Sequence, residues 1–143
     1  LNSIQGSPPI DHDPEVKAET DRRAVAAVIK AETALGRKPQ EQDHNNPGFD
    51  VLSIDPKTGK HFYIEVKGYL PRTTEIKVSS TQVTMGLNNP DCFRLVAVAV
   101  PDDPEEEPRT HYFVKPFDTP LNFAQTYLPL KVSELLKRRS DPV

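Results

Sequence analysis

Apolar and polar residues alternate along His61-Phe62-Tyr63-Ile64-Glu65-Val66-Lys67, so Phe62, Ile64 and Val66 fill one strand face while His61, Tyr63, Glu65 and Lys67 share the other. The preceding segment predicts a strand from Phe49 to Ile54, with Asp50 on the face of Leu52 and Ile54. Between them, Asp55-Pro56-Lys57-Thr58-Gly59-Lys60 has turn chemistry and folds the two strands side by side. Upstream, Val25, Val28, Ile29 and Leu35 form an apolar stripe, and Asp13-Pro14 and Gly36 punctuate a helix from about Pro14 to Leu35. Downstream the pattern predicts a strand (Thr74 to Ser79), a helix (Thr81 to Leu87), two strands (Phe93 to Val100, Thr110 to Val114) and irregular and helical segments ending at Val132 to Arg139. Phe93 to Val100 is nearly unbroken in its apolar character, as in a central strand covered on both faces. The predicted class is α/β, a mixed sheet flanked by helices.

In that hairpin Asp50 and Glu65 converge, with Lys67 two residues on and on the same face. Two carboxylates and a main-chain carbonyl, here that of Val66, suit a hard cation such as Mg²⁺ or Mn²⁺, which neutralises phosphate charge and makes hydroxide available at neutral pH. Lys67 is then placed to orient or deprotonate the water. Glu-x-Lys alone carries little information, because the chain contains it three times, at Glu15-Val16-Lys17, Glu65-Val66-Lys67 and Glu75-Ile76-Lys77. Glu15 belongs to a helix start, where acids are favoured. Glu75 lacks an aspartate-bearing strand just upstream. Only Glu65-Val66-Lys67 follows such a strand across a turn, and it ends on Gly68, read as a residue that lets the chain bend away. The plain alternative is a solvated, mutually compensating pair on the open face of a sheet.

Glu32 lies three and four residues beyond Ile29 and Val28, which puts an acid on the core-facing stripe of the helix. It either pairs with a basic group or a tyrosine hydroxyl at the helix edge, or it reaches the Asp50 and Glu65 cluster.

The run Ala24 to Gly36, then Asn46-Pro47-Gly48-Phe49-Asp50 and Tyr63-Ile64-Glu65-Val66-Lys67-Gly68, resembles the NO VEIN C-terminal-like domain of the PD-(D/E)XK, or restriction-endonuclease-like, superfamily. The similarity continues through Ser79-Ser80-Thr81-Gln82 and Phe93 to Val100 and spans about Glu19 to Arg139. The resemblance implies a restriction-endonuclease-like core with Asp50, Glu65 and Lys67 in the catalytic positions and Glu32 as the helical acid that assists metal binding. A Glu commonly stands in this family where Gln82 stands here, and Gln is used in that region by other members of the superfamily; the departure weakens a catalytic role for Gln82 and leaves it a second-tier participant in the site, open to positioning. It further implies a divalent-metal-dependent DNA endonuclease, in a helicase-related, restriction or phage-defence protein. The rival reading of the same fold is a non-catalytic DNA-binding or protein-docking module.

Size and composition narrow the setting. A chain of 143 residues is one domain, here a lead-in over 1–13 and a nuclease-like domain over 14–143. A start at Leu1, followed by a polar lead-in, reads as a piece of a longer parent, and the resemblance implies a helicase or motor domain as its partner. One cysteine, Cys92, excludes an internal disulfide and, with four scattered histidines, a Cys/His zinc site; Cys92 is read as a small buried hydrophobe in a cytoplasmic protein. No stretch is apolar enough to span a membrane. A net charge of −3 means that DNA binding must come from a local patch, for which Lys57, Lys60, Arg72, Lys77 and Lys137-Arg138-Arg139 are the candidates. The acidic run Pro101 to Pro108 is read as a solvated loop.

Overall fold

Asp13 begins the described structure, a computed structural model covering residues 13–46 and 48–142. The expected lead-in therefore lies, but for Asp13, outside the described residues. Asp13 caps helix α1 (Pro14–Ala34) by accepting from the Glu15 and Val16 amides at 2.8 and 3.4 Å, and Gly36 leaves the helix at φ 85°. Then come β1 (Lys38–Glu41), β2 (Val51–Ile54), β3 (His61–Tyr69), β4 (Glu75–Ser79), α2 (Ser80–Asn88), β5 (Phe93–Ala99), β6 (Arg109–Val114), β7 (Tyr127–Lys131) and α3 (Val132–Leu136).

Five strands form the main sheet in the order β1-β2-β3-β5-β6, and β4 and β7 make a separate two-stranded ribbon. β3 and β5 run parallel and every other pair is antiparallel. A parallel pair needs a crossover, which β4 and α2 provide. The main sheet is covered on both sides. Ala24 and Val28 of α1 pack on Val51, Phe62, Ile64, Val66, Val96 and Val98, while Val83 of α2 and Leu135 of α3 join Phe93, Leu95, Ala97 and Phe113 on the opposite face.

β1 and β7 escape the sequence pattern. Lys38-Pro39-Gln40-Glu41 has no apolar alternation, and its charges and proline suit an edge strand that must not recruit another chain. Tyr127-Leu128-Pro129-Leu130-Lys131 alternates, but its proline argues against a strand until it is placed in a ribbon with open edges. Gly68 also departs from expectation: β3 runs through it to Tyr69, and a Cβ there would stand 2.8 Å from the Ala24 Cβ. The glycine lets α1 lie against the sheet. The acidic loop is exposed yet anchored, because the Arg23 guanidinium donates to the carbonyls of Pro101 (2.7 Å), Asp103 (3.3 Å) and Glu106 (2.7 Å), and Arg72 pairs with Asp102 at 2.9 Å.

Candidate active site

The β2–β3 register, Val51 opposite Ile64 and Leu52 opposite Tyr63, carries on to set Asp50 against Glu65 on one face. Asp50 Oδ2 accepts the Val66 amide at 2.7 Å, which fixes the carboxylate across the strand beside Glu65. The two carboxyl groups are near enough to hydrogen-bond each other when one is protonated. Glu65 Oε2 receives the Gln82 amide at 2.6 Å and lies 3.3 Å from the Lys67 ammonium. Gln82 is itself fixed: its Oε1 accepts the Ser79 main-chain amide at 2.8 Å and its own main-chain amide donates to Ser79 Oγ at 3.1 Å, a reciprocal cap at the start of α2. Thus β2, β3 and α2 bring Asp50, Glu65, Lys67 and Gln82 together in an open cleft of about 1030 Å³.

Glu65 is 3% exposed. Burial, and after it the charge of Asp50, raises its pKa from 4.5 to about 8, against the pull of Lys67. Burial likewise raises Asp50, opposed by the Val66 amide and by Lys67. Two adjacent carboxylates, one buried and one half-buried, with a single ammonium beside them are short of positive charge, and their donors are hard oxygens; both features fit a divalent cation of the Mg²⁺ class. Val66 contributes its amide to Asp50, and its side chain belongs to the core beneath α1. Among the described residues no third histidine, cysteine or acid completes a ligand cluster with this pair.

Glu32 is the expectation that the structure does not bring to the site. It is fully buried, but both oxygens lie 3.2 Å from Arg37 and one accepts the Tyr112 hydroxyl at 2.5 Å. The physical reason is position along α1: Thr20 and Ala24 are the residues that meet Gly68 beside Lys67, and Glu32 is two turns further on, where Arg37 stacks 3.8 Å above Phe62. The acid of α1 that does border the cleft is Asp21, whose charge reaches Asp50 and which pairs with Lys17 at 3.2 Å. The apolar stripe of the helix does not single it out. The signal lay in the small side chains of Thr20 and Ala24, which mark where the helix touches the sheet.

Most candidate basic groups also lie apart. Lys77 lines the cleft, whereas Arg72 is taken by Asp102, Lys60 sits 5.0 Å from the Phe62 ring and Lys137 pairs with Glu134. Lys57 belongs to the β2–β3 turn, and Arg138 and Arg139 to the turn after α3. Cys92 is half-buried, with its carbonyl accepting the Tyr63 amide.

This architecture is the restriction-endonuclease-like fold, a mixed sheet with helices on either side and an acidic strand pair at the cleft. It is similar to the structure of Hjc, a Holliday junction resolvase from Archaeoglobus fulgidus, with a TM-score of 0.54, 11% identity, and coverage of 84% of this chain and 89% of that one. Residues 20–113 match the family described as Protein NO VEIN, C-terminal, and the chain belongs to that family. No curated protein matches the sequence. No described helix is long and apolar enough to cross a membrane.

Proposed function

We propose that this domain is a divalent-metal-dependent DNA endonuclease that hydrolyses phosphodiester bonds. The observation that carries the reading is the pair of half-buried Asp50 and buried Glu65, with Lys67 beside it in an open cleft. Asp50, Glu65 and the Val66 carbonyl would hold Mg²⁺ or Mn²⁺. The cation would supply charge neutralisation at the phosphate and acidify a bound water. Lys67 then faces that water and the phosphate, Gln82 keeps Glu65 in one rotamer, and the Val66 amide keeps Asp50 in its own. Asp21 adds negative charge at the helix side of the cleft. The wider reading places the domain in a cytoplasmic, helicase-linked restriction or phage-defence protein that delivers it to DNA. The similarity to a Holliday junction resolvase supports a nuclease of this fold.

Plasmid nicking in Mg²⁺ or Mn²⁺ tests it. Wild-type protein should nick, and Asp50→Asn and Lys67→Ala should be slower by about 100-fold or more. Nicking that survives both changes refutes the assignment. A second reading, a non-catalytic DNA-binding or docking module, is favoured in its docking form by the net charge of −3, and Arg72, Lys60 and Lys137 are not among the residues that line the cleft. It predicts no nicking but DNA or partner binding that Asp50→Asn leaves unchanged.

A further inference from the structure

Among the described residues three large hydrophobic side chains are exposed, Leu35, Phe123 and Tyr127, and the last two stand four residues apart in one segment, Tyr127 against Lys77 of the cleft lining. Tyr127 opens β7 directly across from Ser79, the residue that caps α2 through Gln82 and so lies one side chain removed from Glu65. Phe123 is fully exposed on a tight turn closed by two hydrogen bonds, Gln125 amide to Asn122 carbonyl and Ala124 amide to Asn122 Oδ1, both 3.0 Å. The same segment is tied to α2 by the Ser80 amide, which donates to the Thr126 carbonyl at 2.9 Å. Phe123 therefore stands in water and Tyr127 is about half-exposed, both on main chain that hydrogen bonds hold in place.

The ribbon also carries charge on this side. Ile76, Val78, Leu128 and Leu130 turn inward, leaving Lys77 on the outer face with Tyr127. Lys77 lines the cleft, holds its ammonium 4.7 Å from the centre of the Tyr127 ring, and has no carboxylate within ion-pair distance among the described residues. An ammonium beside an exposed ring, next to a site read as taking phosphodiesters, matches a nucleotide: the ring offers a surface to a base and the lysine a charge to its phosphate. Paired bases hide their faces in the duplex stack, so only unpaired bases can use such rings. Of the three residues between the rings, Ala124, Gln125 and Thr126, two are polar, so the apolar run along the segment is short, unlike the larger patches that protein partners cover.

Resting on the nuclease reading, we propose that Tyr127 and Phe123, with Lys77 linking the Tyr127 ring to the cleft, form a stacking platform for unpaired bases. The cleft then takes DNA with a single-stranded segment, such as a flap or frayed end, in preference to fully paired duplex.

Fluorescence anisotropy on the full chain in EDTA, with a single-stranded oligonucleotide, a splayed duplex and a blunt duplex of one sequence, measures the preference. Wild type should favour the first two. Tyr127→Ala and Phe123→Ala should each weaken them about tenfold, the range for losing one stacked base, and leave the blunt duplex unchanged, while Tyr127→Trp retains the preference. The chain has no tryptophan, so Phe123→Trp introduces a sole tryptophan, excited beyond the absorption of the four tyrosines, whose emission single-stranded DNA should quench and blunt duplex should not. Equal affinity for all three DNAs, alanine variants that bind as wild type, or no DNA binding at all overturns the platform. Cleavage of the same DNAs in Mn²⁺ separates the two ideas. Cleavage that needs Asp50 but ignores both rings sinks the platform and leaves the nuclease; ring-dependent binding without cleavage supports the platform and sinks the nuclease.

Discussion

The Gln82 side chain donates to Glu65 Oε2 at 2.6 Å with one end and caps its own helix with the other. A neutral amide can do both at once. A carboxylate at the same position would keep the cap but would face Glu65 with a like charge, in a place where burial already raises the Glu65 pKa.

Gln82→Glu is therefore expected to lower the thermal midpoint of metal-free protein and to enlarge the upward shift on adding Mn²⁺, because the added acid both repels Glu65 and offers another oxygen to a cation. Gln82→Ala should lower the midpoint through loss of the cap, worth about 1 kcal/mol, without enlarging the metal shift. Melting curves with EDTA and with Mn²⁺ decide; a Gln82→Glu protein that shifts no more than wild type would mean that this position does not face the cation.

Glu32 should behave as a structural residue. Removing one partner of its buried pair leaves Arg37 and the Tyr112 hydroxyl without their acceptor, so Glu32→Ala is expected to destabilise by roughly 3 to 5 kcal/mol. The Mn²⁺-induced shift in midpoint should equal that of wild type, whereas Asp50→Asn should nearly abolish it. Urea unfolding with and without metal gives both quantities. Loss of the metal shift in a folded Glu32→Gln protein would return Glu32 to the site.

Stability of the metal-free protein should depend on pH through Glu65. Its folded pKa of about 8 lies above the ordinary 4.5, so between those values the folded state keeps a proton that the unfolded chain has released. That difference favours unfolding progressively as pH rises from about 4.5 to about 8. Denaturation in EDTA at pH 5.5 and pH 8 should show wild type losing stability on the order of a few kcal/mol, and Glu65→Gln losing much less. A parallel loss in the two proteins would place the titration elsewhere.

DNA affinity of the isolated chain should be low and should fall gently with salt. The net charge is −3, and of the lysines and arginines lining the cleft, Lys17, Arg22 and Lys67 are already paired with Asp21, Glu19 and Glu65, which leaves Lys77 among the described residues. Binding to duplex across a salt series in EDTA checks this. A steep dependence, as for about six or more phosphate contacts, would reveal a basic surface outside the cleft and would remove the need for a delivering partner.

The residue pattern by itself determined the hairpin and what it carries. Alternation along 61–67 and a turn of Asp, Pro and Gly leave one register that buries Phe62 and Ile64, and that register sets Asp50 opposite Glu65. Asp13 and Gly36 likewise bound α1 through local chemistry. Only the tertiary structure decided what depends on which elements meet. The edge strand β1 and the ribbon strand β7 exist through their partners, and neither Lys38-Pro39-Gln40-Glu41 nor a strand with Pro129 announces itself locally. The fate of Glu32 turned on where α1 crosses the sheet. The helical stripe said that it was buried, but the contact of Thr20 and Ala24 with Gly68 gave Asp21 to the cleft and Glu32 to Arg37 and Tyr112. Helical periodicity specifies the direction in which a side chain points, while its neighbour is set by how far along the helix the sheet lies, and that distance is fixed by packing.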